Sequence, residues 1–165
     1  MWKTMIQTPV GELQAFTNEM GLCGLVWPQI NDARFQFNSE SLEPADHPLF
    51  VQLTSQLREY FAGERQHFDL PLAPVGTEFQ CAVWKALREI PFGQTRSYAQ
   101  QAASIGRPKA VRAVGAANGR NPISIVVPCH RVIGSNGKLT GFAGGIDVKQ
   151  FLLEHESRII KLHLT

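Results

Sequence analysis

The chain of 165 residues has three cysteines, Cys23, Cys81 and Cys129, too few and too widely spaced for a disulfide framework or a zinc quartet. That scarcity suits a reducing compartment, and the expected location is the cytoplasm. Long apolar runs are also missing, because charges interrupt every stretch that approaches membrane-spanning length. The opening residues, Met1 to Pro9, lack the apolar centre of a secretory signal. Internal repeats and low-complexity tracts are absent too. A membrane protein, a secreted disulfide scaffold and a solenoid are therefore not expected.

What is present is unevenly distributed. Residues 1–76 carry four basic and nine acidic side chains, and residues 77–165 carry twelve basic and five acidic ones. A net charge of only +2 thus conceals an acidic half and a basic half. The basic half suits a polyanionic partner, and equally a well-solvated surface.

The local pattern changes at the same place. Gly11 to Phe16 and Leu22 to Trp27 read as paired strands, and Phe50, Leu53, Leu57, Tyr60 and Phe61 recur at helical spacing before Gly63. Pro71, Pro74 and Gly76 read as a linker, which predicts domains 1–76 and 77–165. Beyond it, Thr77 with Gln80 and Ser97 with Gln100 are capping-box patterns that open two helices. The second ends near Gly106, and Pro108 is placed in the first turn of a helix running to about Gly119. A short helix, a glycine turn and another helix make a helix-turn-helix layout. Ile123 to Val127 reads as a buried strand, and Asp147 to Glu156 as an amphipathic helix with Val148, Phe151, Leu152 and His155 on one side.

Chemistry concentrates in Asn121-Pro122-Ile123-Ser124-Ile125-Val126-Val127-Pro128-Cys129-His130-Arg131-Val132. A thiol beside an imidazole and a cation can be a nucleophile. Taken alone, a cysteine after an apolar run also serves as simple packing, and Cys23 and Cys81 are read that way.

Pro128-Cys129-His130-Arg131-Val132 resembles the active-site signature of the O6-alkylguanine-DNA alkyltransferases, the methylated-DNA–protein-cysteine methyltransferases. The resemblance extends through Arg112-Ala113-Val114-Gly115-Ala116, Asn121-Pro122, Gly141 to Gly145 and Lys149 to Glu156, and upstream through Phe79, Val83-Trp84, Ile90-Pro91 and Gly93 to Tyr98. It covers nearly all of residues 77–156. The first half is similar more loosely, through Thr8 to Leu13 and Leu57 to Gly63.

The resemblance implies a ribonuclease-H-like α/β first domain and a mainly α, winged-helix-like second domain containing the helix-turn-helix. It implies that Cys129 takes an alkyl group irreversibly from guanine O6, or from thymine O4, in a flipped-out base. His130 would act as base through a water, Glu156 would orient it, and Asn121 would brace the turn. Tyr98 would donate toward guanine N3, backbone groups at Cys129 and Val132 would hold the exocyclic amine, and the amide of Ala143 would face O6. Arg112 would fill the vacated stack, with Ala113 and Ala116 on the slim helix against DNA, and Arg107 and Ser135 on its backbone. The implied partner is alkylated double-stranded DNA, approached through the minor groove with little sequence preference. The protein is expected to be a monomer with no membrane partner and no cofactor. Some relatives hold zinc in the first domain, but Cys23, His47 and His67 have no ligand spacing here, so no metal is expected. A turnover cysteine hydrolase and a non-enzymatic DNA-binding regulator remain the alternatives.

Overall fold

The computed structural model describes residues 1–30, 32–35 and 39–164. It divides into two units, Met1–Val75 and Gly76–Thr165.

In the first unit, β1 (Trp2–Thr8), β2 (Gly11–Asn18) and β3 (Gly21–Val26) form an antiparallel meander, with β4 (Glu40–Ser41) added parallel to β1, in the order β3-β2-β1-β4. The strands expected around Gly11–Phe16 and Leu22–Trp27 are β2 and β3, paired as the pattern requires. β1 escaped the reading, although Thr4 and Ile6 alternate inward on it. α1 (Pro48–Phe61) buries Leu49, Phe50, Leu53, Leu57 and Tyr60 and ends before Gly63, whose φ of +79° suits glycine. Pro71 to Ala73 is not a free linker. The Leu22 amide donates to the Pro71 carbonyl and the Ala73 amide to the Leu22 carbonyl, so this stretch continues the edge of the sheet.

The second unit is mainly helical. α2 (Glu78–Leu87) starts at a complete Thr77–Gln80 capping box and buries Val83, Trp84 and Leu87. The Trp84 indole donates to the Ala117 carbonyl at 2.8 Å. α3 (Tyr98–Ser104) starts at the Ser97–Gln100 box. After Gly106, at φ +72°, the chain turns into α4 (Val111–Gly119). Pro108 lies in that turn rather than in the helix. The Ala110 amide bonds the Arg107 carbonyl, closing a turn before helical bonding begins. Gln101 and Asn118 exchange two amide hydrogen bonds, at 2.9 and 2.7 Å, and lock α3 to α4.

Ile123 to Val127 is buried but is not a strand. It forms a turn whose Val127 amide returns to the Ile123 carbonyl. The apolar run reflects burial alone, and periodicity cannot distinguish a buried turn from a buried strand. β5 (Arg96–Ser97) and β6 (Val132–Ile133) pair in parallel, one on each side of the chemistry. α5 (Ile146–His163) extends well beyond the expected span and buries Leu152 and His155 as expected, with its inward face turned away from Phe151. Lys149, Leu152, His155, Glu156 and Ile159 point inward, while Phe151 is 42% exposed. The buried stripe carries charge because each charged group meets a partner in the site. Cys23 is buried as expected, but Cys81 is only half-buried.

Candidate active site

The local fold that presents Cys129 starts at Asn121. Its amide nitrogen donates to the Val127 carbonyl at 2.8 Å, and its side-chain oxygen accepts from the Ile123 amide at 3.0 Å. One side chain therefore ties both ends of the buried turn, and the chain leaves it through Pro128 into the short 3-10 turn Cys129–Arg131. Within the buried turn Ile123 to Val127, Ile125 has φ +72°, the one positive value at a non-glycine residue among the described residues. A β-branched side chain is strained in that region, so the packing around it must hold it there. The 3-10 turn places Cys129 in a pocket and His130 in the interior.

Cys129 is half-buried at the floor of a pocket of about 50 Å³, lined also by Tyr98, Asn121, Ser124, Phe142 and Ala143. The pocket adjoins a wider cleft of about 590 Å³, which shares Tyr98, Phe142 and Ala143 and adds Thr140 and Val111. Burial pushes the Cys129 thiol up, and the Asn121 hydrogen bond and the Lys149 charge offset part of that rise.

His130 is fully buried. Its Nε2 lies 2.7 Å from Glu156 Oε2, and its Nδ1 has no hydrogen-bond partner among the described residues. Burial lowers the imidazole pKa, against the pull of Glu156, and the charges of Arg131 and Lys149 lower it further. Burial alone would raise the Glu156 carboxyl, but the hydrogen bond from His130 and the hydrogen bonds and charge of Arg131 hold it well below the usual carboxylate range. An ionised Glu156 accepts, so Nε2 carries the hydrogen and donates. Nδ1 is then the free lone pair, which makes His130 a base.

Glu156 is itself clamped. Arg131 donates from Nε to Oε1 at 2.8 Å and from Nη2 to Oε2 at 3.1 Å, while its Nη1 donates to the Ile90 carbonyl at 2.7 Å. The Gly93 amide donates to Oε1 at 3.1 Å. Gly93 has φ +79°, and a Cβ there would come within 2.4 Å of Ile160, so only glycine brings that amide to Glu156. Lys149 is 1% exposed and donates from Nζ to the Val132 carbonyl at 2.7 Å and, at 3.4 Å, to the Thr140 carbonyl. Burial lowers its pKa and the Cys129 side raises it.

Arg131 and Lys149 stood in the matched motifs without a role. Lys149 gave a signal in the sequence, since Lys149, Leu152, Glu156 and Ile159 share one helical stripe, where unpartnered charge is costly, and Arg131 gave none. Thr140 gave no such signal.

The remaining expected residues separate into two groups. Tyr98, from α3, and Ala143, from the loop before α5, line the pocket with Cys129, while Val132, at the start of β6, donates its amide to the Cys129 carbonyl. Arg112, Ala113 and Ala116 are exposed along one face of α4, opposite buried Val114, Ala117 and Asn118. Arg107, in the turn before α4, and Ser135, after β6, are exposed. No group of three or more His, Cys, Asp or Glu among the described residues could hold a metal ion. None of the described helices is long and apolar enough to cross a membrane.

A thiol in a pocket, followed by an imidazole bound to a carboxylate, is an arrangement that can support a cysteine nucleophile with its own general base. Residues 78–158 match the family model for the 6-O-methylguanine DNA methyltransferase DNA-binding domain, and residues 1–74 that for the ribonuclease-like domain of the same proteins. The chain is 48% identical over 161 residues to the methylated-DNA–protein-cysteine methyltransferase of Methanosarcina barkeri, covering 98% of this chain and all of that one. It is also 48% identical to the constitutive enzyme of Bacillus subtilis, covering 93% of each. The crystal structure of Mycobacterium tuberculosis OGT in complex with DNA superposes with a TM-score of 0.86 at 45% identity, covering 96% of this chain and 94% of that one. The chain belongs to the methylated-DNA–protein-cysteine methyltransferase family, with its sheet-containing N-terminal domain and helical C-terminal domain.

Proposed function

We propose that this protein repairs DNA by direct reversal, moving the alkyl group of an O6-alkylguanine irreversibly to the sulfur of Cys129. The observation that carries the reading is the Cys129 pocket backed by neutral His130, whose Nε2 is bound to Glu156 and whose Nδ1 is free to accept. A raised thiol and a lowered imidazole rest as a neutral pair. The thiolate is therefore made at the moment of attack, when the thiol proton passes through an intervening water to His130 Nδ1. Sulfur attacks the alkyl carbon, the C–O6 bond breaks, and its electron pair leaves with the guanine. Tyr98 donates toward N3, the backbone at Cys129 and Val132 holds the exocyclic amine, and the Ala143 amide faces O6. Asn121 keeps the turn closed behind the nucleophile.

The target atom lies within a stacked duplex, so the base must be flipped out. Exposed Arg112 fills the gap, since a planar cation can stack and hydrogen-bond. Ala113 and Ala116 let α4 lie close in the minor groove, where sequence is poorly distinguished, and Arg107 and Ser135 hold the DNA backbone. In this reading the first domain, 1–76, is ribonuclease-H-like, and the second, 77–165, is winged-helix-like. The protein acts as a cytoplasmic monomer without cofactor or metal.

The product is a thioether, which water does not cleave as it cleaves an acyl thioester, and this separates the reading from a cysteine hydrolase. Excess duplex DNA carrying O6-methylguanine should give one repair event per protein, with a single methyl on the peptide containing Cys129 by mass spectrometry. Cys129→Ala should lose transfer and keep DNA binding. Sustained turnover, or methyl on Cys23 or Cys81, refutes it.

A further inference from the structure

Tyr98 and Thr140 are 42 residues apart, yet the two hydroxyl oxygens lie 2.5 Å from each other beside the Cys129 pocket. The contact sits within a longer chain. Thr140 is tied at its carbonyl to Lys149 Nζ, and the same ammonium holds the carbonyl of Val132. Tyr98 begins α3, directly after Ser97, which is both the helix cap and a rung of the β5–β6 ladder. Both hydroxyls are therefore carried on anchored backbone, and both residues line the wider cleft.

We infer that Thr140 is a positioning residue for alkyl transfer, acting through Tyr98 by donating a hydrogen bond to the phenolic oxygen. The inference rests on the reading above that Tyr98 donates to guanine N3. As the S–C bond forms and the C–O6 bond breaks, the bonding pair enters the purine and negative charge builds at N3. Tyr98 directs its single hydroxyl hydrogen there, which leaves the phenolic oxygen as an acceptor. The threonine hydroxyl is in place to donate to it. A bond donated to an oxygen that is losing proton density stabilises that change, and linked hydrogen bonds polarise one another. Thr140 also removes freedom from the Tyr98 hydroxyl, whose rotation would otherwise let it point away from the base. No further reagent enters, and the thiol proton still leaves through His130.

The test uses single-turnover rates at saturating DNA, read by intact mass. Two duplexes are compared, one with O6-methylguanine and one with its 3-deaza analogue, in which N3 is replaced by C–H and cannot accept. Thr140→Val, nearly the same size without the hydroxyl, should slow the ordinary base roughly five- to tenfold, the size of one neutral hydrogen bond. On the 3-deaza base it should change the rate by less than twofold. Thr140→Ser should restore the ordinary rate, and Tyr98→Phe with Thr140→Val should be no slower than Tyr98→Phe alone. Equal slowing of both bases by Thr140→Val would make the residue a support of its loop and overturn the inference, as would no slowing of either. The Tyr98→Phe arm separates the two levels. If that variant does not distinguish the two bases, the role of Tyr98 falls and that of Thr140 falls with it. If it does distinguish them and Thr140→Val does not, only the Thr140 inference fails.

Discussion

Replacing Glu156 by glutamine would keep the shape of the side chain and reverse the logic of the site. The carboxylate accepts from His130 at 2.7 Å, from Arg131 at 2.8 and 3.1 Å, and from the Gly93 amide at 3.1 Å. A glutamine has one acceptor oxygen for these donors, and Arg131, only 6% exposed, competes for it as a permanent cation. With the oxygen committed to Arg131, the glutamine NH2 faces His130 Nε2. The imidazole then changes tautomer, Nδ1 takes the hydrogen, and the base is lost. A positioned general base is worth roughly 10²- to 10⁴-fold, and the single-turnover rate of Glu156→Gln should fall within that range. Removing one partner of a buried ion pair costs about 3–5 kcal/mol, against a typical domain stability of about 5–15 kcal/mol, so the variant should be folded but fragile. Urea unfolding followed by tryptophan fluorescence measures the second quantity, and intact-mass kinetics at 15 °C the first. Arg131→Met is the control. It should lose similar stability while leaving His130 its carboxylate, and should retain a rate within tenfold of wild type. A Glu156→Gln rate within threefold of wild type, or equal rate losses in the two variants, would refute the tautomer argument.

Three other outcomes follow from the same geometry. Neutral His130 is the working form and its pKa lies below the ordinary 6.5, so the repair rate should hold through neutral pH and fall only on acidification, with a midpoint below 6.5 in a pH–rate profile. Stability should fall on the same side. Unfolded His130 binds a proton near 6.5 when the folded residue does not, and the depressed Glu156 adds a second loss below its ordinary 4.5, so urea midpoints should decline from pH 7 to pH 4. Arg112→Ala should slow repair of duplex DNA by roughly tenfold or more, because unstacking costs a few kcal/mol, yet react with a free O6-alkylguanine base at nearly the wild-type rate. Equal loss on both substrates would assign Arg112 to the pocket instead.

The sequence made some of this plain because the information was local. Two capping boxes mark the starts of α2 and α3, and both form completely, since Thr77 and Ser97 need only the residues three positions on. Cys129, His130 and Asn121 sit in one short motif. What escaped is non-local. Arg131 and Lys149 have meaning only once α5 brings Glu156 and the Val132 carbonyl together. The pairing of Thr140 with Tyr98 crosses 42 residues and leaves no periodic trace. Ile123 to Val127 misled for a different reason: burial makes the run apolar, while its backbone is decided by Asn121 and the strained Ile125. On α5, Leu152 and His155 face inward as expected, but the rest of the stripe was sought on the apolar Val148 and Phe151, while the buried positions are the charged Lys149 and Glu156.

The placement of Glu156 and Lys149 on α5 also fixes the order in which the site is assembled. Translation exposes Cys129 first and completes α5 at His163 afterwards, a delay of roughly two to seven seconds at ~5–20 residues per second. During that interval His130 has no carboxylate to set its tautomer, and Lys149 is not yet at its post beside the nucleophile. The thiol on the growing chain is an ordinary cysteine. The base and the pocket therefore come into being together when α5 docks, and alkyl transfer is a property of the finished domain rather than of the Cys129 segment.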